Sequence, residues 1–193
     1  MIPLALKNLK IFLQNNRVGI ITPELNRMLD AITTPEIITN FEPFQADEQT
    51  PLVVNINSFS YKKNIPYDES GNGGGFVFDC RGLLNPGRFE EFKTLSGKNK
   101  KVTDFLEQRT RMNEFLNGVY DVVDISVEDY IKRGFDNLMI NFGCTGGQHR
   151  SVYAAEQTDR HLKNKYKVKV NVQHLNEANW VKQTENYKAE TAL

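Results

Sequence analysis

The chain has 193 residues, 39% of them hydrophobic and 25% charged, and its 24 basic and 24 acidic side chains give a formal net charge of zero. These values are typical of a soluble globular domain and give no global electrostatic reason to expect nucleic acid. No apolar run approaches the roughly 18 residues of a membrane span, and Lys7 interrupts the N-terminal run too early for a signal peptide. Two cysteines, Cys80 and Cys144, are too few for a disulfide framework, so we expect free thiols in a cytoplasmic protein.

The two ends of the chain predict appendages to one central domain. Residues 1–33 carry apolar side chains at helical spacing, and we expect a helical segment there, as in the tail of an upstream domain. Residues 34–50 contain two prolines and several acidic side chains, which is typical of a linker. Residues 176–193 have no firm pattern and are taken as a tail, which leaves residues 51–175 as the folded domain.

Within that domain, segments rich in β-branched and aromatic residues alternate with segments of helical periodicity. Strands are predicted at residues 52–59, 75–80, 138–142 and 167–174, the second of them short and buried. Helices are predicted at residues 103–117, 126–134 and 151–164. This order indicates an α/β fold with a mixed, largely parallel sheet flanked by helices, whose ligand loop lies at the carboxyl edge.

The clearest chemical signal is the glycine-rich turn Cys144-Thr-Gly-Gly-Gln-His-Arg150, which follows a predicted buried strand. A helix is predicted to start directly after it, at Ser151. Glycine lets backbone N–H groups approach a ligand closely, and a helix N-terminus favours an anion. The sequence therefore predicts a phosphate-binding loop, with His149 and Arg150 placed to close over the bound group. The alternative for His149 is a side chain that only caps the helix start.

Cys144 and Arg150 also have the spacing of the cysteine-dependent phosphatases, in which the thiolate attacks a phosphoryl group held by the arginine. A cysteine at a helix N-terminus has a lowered pKa, which suits a nucleophile. However, Gly143 stands where those enzymes usually have a histidine, and a small thiol packed under the loop is an equally simple role for Cys144. Candidates for the general acid are Asp79, Asp121 and Asp124.

Three further motifs accompany the glycine-rich turn in a fixed order. They are Ser58-Phe-Ser-Tyr-Lys-Lys-Asn-Ile-Pro66, Phe78-Asp-Cys-Arg-Gly-Leu-Leu-Asn-Pro86 and Leu95-Ser-Gly-Lys-Asn-Lys-Lys-Val102. Together with the string from Gly143 to Tyr153, they resemble the C-terminal domain of the RapZ family of RNase adapter and nucleotide-binding proteins. The resemblance covers roughly residues 51–175.

This resemblance implies a non-catalytic regulatory domain that binds a phosphosugar or a nucleotide, with RNA as a further candidate ligand. It also implies homo-oligomers and, as in some relatives, an upstream kinase-like domain. Full-length relatives carry a Walker A nucleotide-binding domain, but this sequence has no Gly-x-x-x-x-Gly-Lys-Ser/Thr, so nucleotide hydrolysis is not implied and no cofactor is expected. The implied ligand-binding residues are Cys144, Thr145, Gly146, Gly147, Gln148, His149, Arg150 and Ser151, with Arg81 and Asn85 opposite them if the strands are parallel.

Basic side chains near these motifs are candidates for RNA phosphate contacts. They are Lys62, Lys63, Lys98, Lys100 and Lys101, together with basic residues of the last helix and strand. Lysines on a final strand also serve as ordinary protection of a sheet edge. Arg81 is predicted either to bind an anion or to pair with Asp79 or Asp124. His161 and His174 lack companions at ligand spacing, so no metal site is expected.

Overall fold

Four segments rich in β-branched and aromatic residues form a single sheet. In a computed structural model that describes residues 51–72, 74–166 and 168–182, they are β1 (Val53–Ser60), β2 (Phe76–Asp79), β3 (Asn137–Cys144) and β4 (Lys169–His174). The strand order is β2-β3-β1-β4, and each neighbouring pair is parallel. The predicted α/β fold is confirmed, although the described strands form a sheet that is parallel throughout and not mixed.

Three helices connect these strands. Helices α1 (Lys100–Arg109) and α2 (Met112–Arg133) lie between β2 and β3, and α3 (Arg150–Tyr166) lies between β3 and β4. Helix α3 packs on β1, β3 and β4. Apolar side chains from the sheet and the helices share one core cluster, and removal of this surface from water stabilises the fold. Members of the cluster include Ile56, Leu106, Ile140, Phe142 and Leu162.

The connections that follow the neighbouring strands β1 and β3 run toward opposite edges of the sheet. β1 leads to β2 on the far side of β3, whereas β3 leads to β4 on the far side of β1. Open α/β sheets bind ligands where such connections diverge, outside the carboxyl ends of the strands. A ligand site is therefore expected at the turns that follow β1 and β3.

The predicted boundary between the first two helices is wrong. A helix over residues 103–117 and a second from Ser126 were expected, whereas α2 runs through Ser126 and the break comes earlier, at Thr110. Thr110 leaves the helical conformation, with φ −134° and ψ 175°, and its Oγ1 accepts the N–H of Met112, the first residue of α2, at 3.1 Å. The predicted end at Gly134 is confirmed, since this residue adopts φ 69°, a left-handed conformation that suits glycine.

The two outer strands differ in how well they were predicted. The segment 75–80 was expected to be a buried strand, but β2 is an edge strand in which Val77 is 43% exposed. β4 is the other edge strand, and Lys169 is exposed on it. A charged side chain on an edge strand discourages pairing with another chain, as the edge-protection alternative predicted.

The predicted appendages lie largely outside the described residues. This applies to the helical segment 1–33, the linker 34–50 and the tail from residue 183 onward. In the described part of the chain, no helix is long and apolar enough to cross a membrane.

Candidate functional site

The turns after β1 and β3 are bonded to each other at the carboxyl edge of the sheet. The N–H of Tyr61 donates to the carbonyl of Cys144 at 3.0 Å, which extends the parallel pairing past the end of both strands. Ser60 Oγ donates to the carbonyl of Thr145 at 2.7 Å. The first turn therefore holds the start of the glycine loop, as we call residues 144–149.

The turn after β2 joins the same edge through Arg150. One nitrogen of its guanidinium, Nη1, donates to the carbonyls of Arg81 and Leu83 at 3.1 and 2.7 Å. Asn85 lies in this turn, and its Oδ1 accepts the N–H of Gly87 at 3.1 Å, so its side chain caps the local backbone. Because β2 and β3 are parallel, Arg81 and Asn85 lie at the same edge of the sheet as the glycine loop, and ligand binding by either one stays a prediction.

Only the apex of the glycine loop reaches solvent. Thr145 and Gly146 are exposed, whereas the residues from Gly147 to Arg150 are buried. Gly147 has φ +60°, and an added Cβ would lie 3.0 Å from the backbone nitrogen of Ser60, so the turn requires glycine there. At Gly146 an added Cβ would meet open space. A ligand therefore has access to Thr145 and Gly146 first.

Cys144 lies beneath the loop and is 2% exposed. Its Sγ accepts the N–H of Gly147 at 3.2 Å and lies 3.1 Å from Ser151 Oγ. Helix α3 begins at Arg150, one residue before the predicted start, so Ser151 contacts the sulfur from inside the first turn. Burial alone raises the pKa of Cys144, but hydrogen bonds from Ser151 and Gly147 and the charge of Arg150 outweigh burial and lower it.

Gln148 and His149 point into the protein. Gln148 Nε2 donates to the carbonyls of Lys93 and Leu95 at 3.0 and 2.9 Å. The buried ring of His149 donates from Nε2 to the carbonyl of Phe92 at 2.9 Å, and burial lowers the pKa of this histidine, so it is neutral near pH 7. Both side chains fasten the neighbouring 92–95 segment to the loop. A direct ligand contact by either one stays a prediction.

Arg150 is a buried cation without an ion-pair partner among the described residues, although its charge helps to lower the pKa of Asp79 and of Cys144. Its side chain is enclosed, with the residue 3% exposed. Besides the two carbonyls after β2, its guanidinium reaches only the hydroxyl of Thr145, at 3.4 Å. Among the described residues it forms no ion pair, and its Nε is buried without a hydrogen-bond partner. Burying a cation without an anion is costly, so this arrangement favours a negative group beside Thr145.

Arg81 pairs with Asp79, one of the two carboxylates that the sequence suggested. Its Nε and Nη2 donate to the carboxylate at 2.7 to 2.9 Å, and the hydrogen bond from Arg81 holds the pKa of Asp79 below its usual value. The guanidinium also lies over the ring of Tyr61, with Cζ 3.8 Å from the ring centroid. Since Asp79 matches its charge, Arg81 is not an unpaired cation at this edge.

Gly143 has no room for a side chain. An added Cβ would lie 2.4 Å from Tyr61 Cε2 and 2.5 Å from Phe59 Cζ, and the two rings pack edge to face, with centroids 4.9 Å apart. The histidine that precedes the cysteine in the phosphatases is therefore sterically excluded. Of the general-acid candidates, Asp79 lies at this edge, Asp121 is exposed on α2, and Asp124 bonds to His161 and Lys165 between α2 and α3.

Residues 175–181, here named the C-terminal strap, fold over the glycine loop. Asn176 Nδ2 donates to the carbonyl of Gly146, and Trp180 Nε1 donates to that of Gly147, both at 2.7 Å. The N–H of Val181 donates to the Gln148 side chain at 3.0 Å. From residue 176 onward the strap lies in the part of the sequence predicted to be a tail without a firm pattern. Trp180 and Val181 were the only signals there, and their partners Gly147 and Gln148 lie 33 positions earlier in the chain.

The lysines predicted to contact RNA divide into three groups. Lys98 and Lys100 form ion pairs with acidic neighbours. Lys62 and Lys63 are exposed in the turn after β1, at the same edge as the glycine loop, and their ammonium groups form no ion pair with the described residues. Lys101 is exposed on α1. Of these five lysines, only Lys62 and Lys63 thus lie beside the glycine loop and have ammonium groups that form no ion pair with the described residues.

A second chain of hydrogen bonds, outside the loop, has a different role. Ser58 Oγ lies 2.8 Å from His174 Nδ1, and His174 Nε2 lies 2.9 Å from a carboxylate oxygen of Glu156. Such a series resembles that of serine hydrolases, but Ser58 is fully buried and cannot reach a substrate. The series instead ties β1, β4 and α3 together. No cluster of metal-ligating side chains occurs in the part of the chain that the structure describes.

Comparison with known families identifies this domain. Residues 52–177 match the family model of the RapZ C-terminal domain. The chain belongs to the RapZ family. The resemblance predicted from four ordered motifs is thereby confirmed, and the matched residues include all four strands, the three helices and the glycine loop.

Several curated relatives of this RapZ-family chain are described as nucleotide-binding proteins. The one from Clostridium botulinum (strain Okra) is 38% identical over 130 residues, which are 67% of this chain and 42% of the relative. Those from Solibacter usitatus and Fervidobacterium nodosum are each 37% identical, over 64% and 62% of this chain and 38% and 41% of their own length. The chain thus spans less than half the length of the curated relatives it matches.

Proposed function

We propose that this RapZ C-terminal domain binds a phosphorylated ligand at the apex of the glycine loop and performs no chemistry on it. The observation on which the proposal rests is the buried guanidinium of Arg150, which forms no ion pair with the described residues and reaches the exposed Thr145. An anion at this position would give it an ion-pair partner. Hydrogen bonds between charged partners are the strong ones, so phosphate oxygens suit the site well.

Other features of the same edge support a phosphate. The loop leads into the N-terminus of α3, where the helix dipole favours an anion. Lys62 and Lys63 add exposed positive charge after β1. The curated relatives are named nucleotide-binding proteins, which agrees with this class of ligand.

The ligand we propose is a nucleotide or a phosphosugar, and its binding serves regulation. An RNA backbone presents the same phosphate groups, and Lys62 and Lys63 are placed to contact phosphates adjacent to the one in the loop. RNA, bound through its phosphate groups at the same loop, is therefore a further candidate ligand. Homo-oligomers and an upstream kinase-like partner remain predictions from the family resemblance.

The experiment is a titration of the protein with inorganic phosphate and with ribose 5-phosphate, followed by amide chemical shifts. Gly146→Asp places a carboxylate at the apex, where a side chain has space, and Gly146→Asn is the matched uncharged control. We expect Gly146→Asp to weaken binding at least about tenfold, roughly 1.4 kcal/mol, as Coulomb repulsion near a protein surface predicts. Equal affinities of the two variants would refute a phosphate site at the apex.

A cysteine phosphatase is the second candidate, and the hydrogen-bonded sulfur of Cys144 with its lowered pKa favours it. Against it are the burial of that sulfur and the binding of Arg150 to backbone carbonyls. The test is hydrolysis of an aryl phosphate between about pH 5 and 8. Turnover that is lost in Cys144→Ser would replace our proposal with this one.

A further inference from the structure

The carbonyl groups of the glycine loop are all held by donors from the protein. Each carbonyl from Cys144 to His149 accepts a hydrogen bond, at 2.7 to 3.0 Å. A carbonyl oxygen carries partial negative charge, so one that turned toward a bound anion would repel it. The hydrogen bonds therefore keep the loop in a single arrangement of its peptide groups.

The carbonyls of the two glycines depend on the C-terminal strap. Among the described residues, their donors are Asn176 Nδ2 for Gly146 and Trp180 Nε1 for Gly147, both at 2.7 Å. Glycine has more conformational freedom than any other residue, so these two peptide groups have the greatest need of a partner from elsewhere in the chain. The strap thus restricts the most adaptable part of the loop.

The donor of Asn176 is itself fixed in place. The residue is 8% exposed, and its Oδ1 accepts a hydrogen bond from Asn179 Nδ2 at 3.0 Å, so both ends of the side-chain amide are bonded. The strap begins at Leu175, whose N–H donates to the carbonyl of Ser58 in β1 at 2.9 Å. The strap therefore holds the loop in a fixed position relative to the sheet.

The peptide group between Gly146 and Gly147 is bonded on both of its sides. Its carbonyl is bound by Asn176, and its N–H donates to the sulfur of Cys144 at 3.2 Å. In a trans peptide the C=O and the N–H point in opposite directions, so rotating this group would break both hydrogen bonds. It would also direct a carbonyl toward the side that favours negative charge, where hydrogen bonds and the charge of Arg150 lower the pKa of Cys144.

We propose that Asn176 and Trp180 are positioning residues, which hold the glycine loop in its anion-binding conformation before the ligand arrives. This inference rests on the proposed function and deepens it. A loop that is already ordered costs less to bind to, and the apparent affinity falls with the fraction of molecules in the competent conformation. Trp180 lies beyond residue 177, where the match to the family ends, so part of this support comes from outside the matched domain.

The test measures the binding of inorganic phosphate, by amide chemical shifts, in Asn176→Leu and Trp180→Phe. Leucine is close to asparagine in size but has no donor, and phenylalanine keeps a ring without the N–H. We expect each variant to bind phosphate about fivefold more weakly, as the loss of one hydrogen bond predicts. Asn171→Leu, the same change at an exposed position of β4, is the matched control and should keep the wild-type affinity.

Two further measurements separate positioning from a general loss of stability. A strap that only stabilised the fold would lower the midpoint of urea unfolding and leave the affinity of the folded protein for phosphate unchanged. In ligand-free Asn176→Leu the pKa of Cys144, followed by its Cβ chemical shift, should rise, because a rotated peptide group withdraws the Gly147 N–H from the sulfur.

Wild-type affinity for phosphate in both strap variants, or an unchanged pKa of Cys144 in Asn176→Leu, would overturn the inference while the phosphate site stands. Failure of the wild-type protein to bind phosphate would overturn the proposed function and this inference with it.

Discussion

Cys144 Sγ and Ser151 Oγ lie 3.1 Å apart and join the end of β3 to the first turn of α3. The N–H of Gly147 donates to the same sulfur. The sulfur thus occupies a place where a helix N-terminus favours negative charge. These hydrogen bonds give Cys144 a structural role in holding the loop, which needs no attack by the sulfur.

Removing the serine hydroxyl should raise the pKa of Cys144. Ser151→Ala deletes a hydrogen bond that favours the thiolate, while burial, which opposes it, is unchanged. We expect the midpoint to move upward, as measured from the pH dependence of the Cys144 Cβ chemical shift. Thr158→Ala, further along α3, is the control and should leave the midpoint in place. An unchanged midpoint in Ser151→Ala would show that the hydroxyl does not stabilise the thiolate.

Adding one methyl group at Gly143 should destabilise the fold. In Gly143→Ala the new Cβ would lie within 2.5 Å of the rings of Tyr61 and Phe59, and these are packed against each other. We expect a loss of about 1–3 kcal/mol in the free energy of unfolding, the usual cost of overpacking, measured by urea denaturation. Gly146→Ala should change it by less than about 0.5 kcal/mol, since the site is open. Comparable losses in both variants would contradict the steric argument.

Trp180→Phe should loosen the glycine loop without unfolding the domain. The change removes the hydrogen bond from the indole Nε1 to the carbonyl of Gly147 but keeps an aromatic ring near His174. One such bond contributes about 1 kcal/mol, so amide exchange in residues 146–148 should accelerate about fivefold. Exchange in α2, far along the chain from the strap, provides the internal control. Uniform acceleration across the domain would mean a loss of global stability instead of local opening.

Stability should fall in acid through Asp124. Its carboxylate accepts hydrogen bonds from His161 and Lys165, both at 2.7 Å, and joins α2 to α3. Burial alone raises the pKa of Asp124, but these partners outweigh burial and lower it below the ordinary 3.8. A lowered pKa in the folded state gives stability that is present above the unfolded value and is lost as the pH falls through the folded value.

We therefore expect the free energy of unfolding to decrease between about pH 5 and pH 2, and less steeply in Asp124→Asn, by urea denaturation at fixed pH. Asp121→Asn, an exposed position on the same helix, should keep the wild-type slope. Parallel curves for the wild type and Asp124→Asn would assign the acid sensitivity to other carboxylates.

Several features of the site were accessible from local sequence. Apolar runs, β-branched content and, in the first and last strands, alternation predicted the four strands. The glycine-rich turn after Phe142 predicted a loop at the carboxyl edge. Both signals depend on neighbours along the chain. Four motifs in a fixed order were sufficient to recognise the family. The break at Thr110 was missed, because threonine caps a helix only when its backbone leaves the helical conformation, which the residue type alone does not specify.

Other features depended on residues far apart in the chain. The sequence by itself determined which residue types meet at the carboxyl edge: a cysteine, glycines, arginines and lysines after three strands. Only the tertiary structure decided what each residue does. Arg150 donates to backbone carbonyls in the turn after β2, and Arg81 pairs with Asp79 and packs on the ring of Tyr61. Trp180 donates to the carbonyl of Gly147. The physical reason is that the charge and exposure of a side chain are set by its partners in space, and most of these come from other strands and turns.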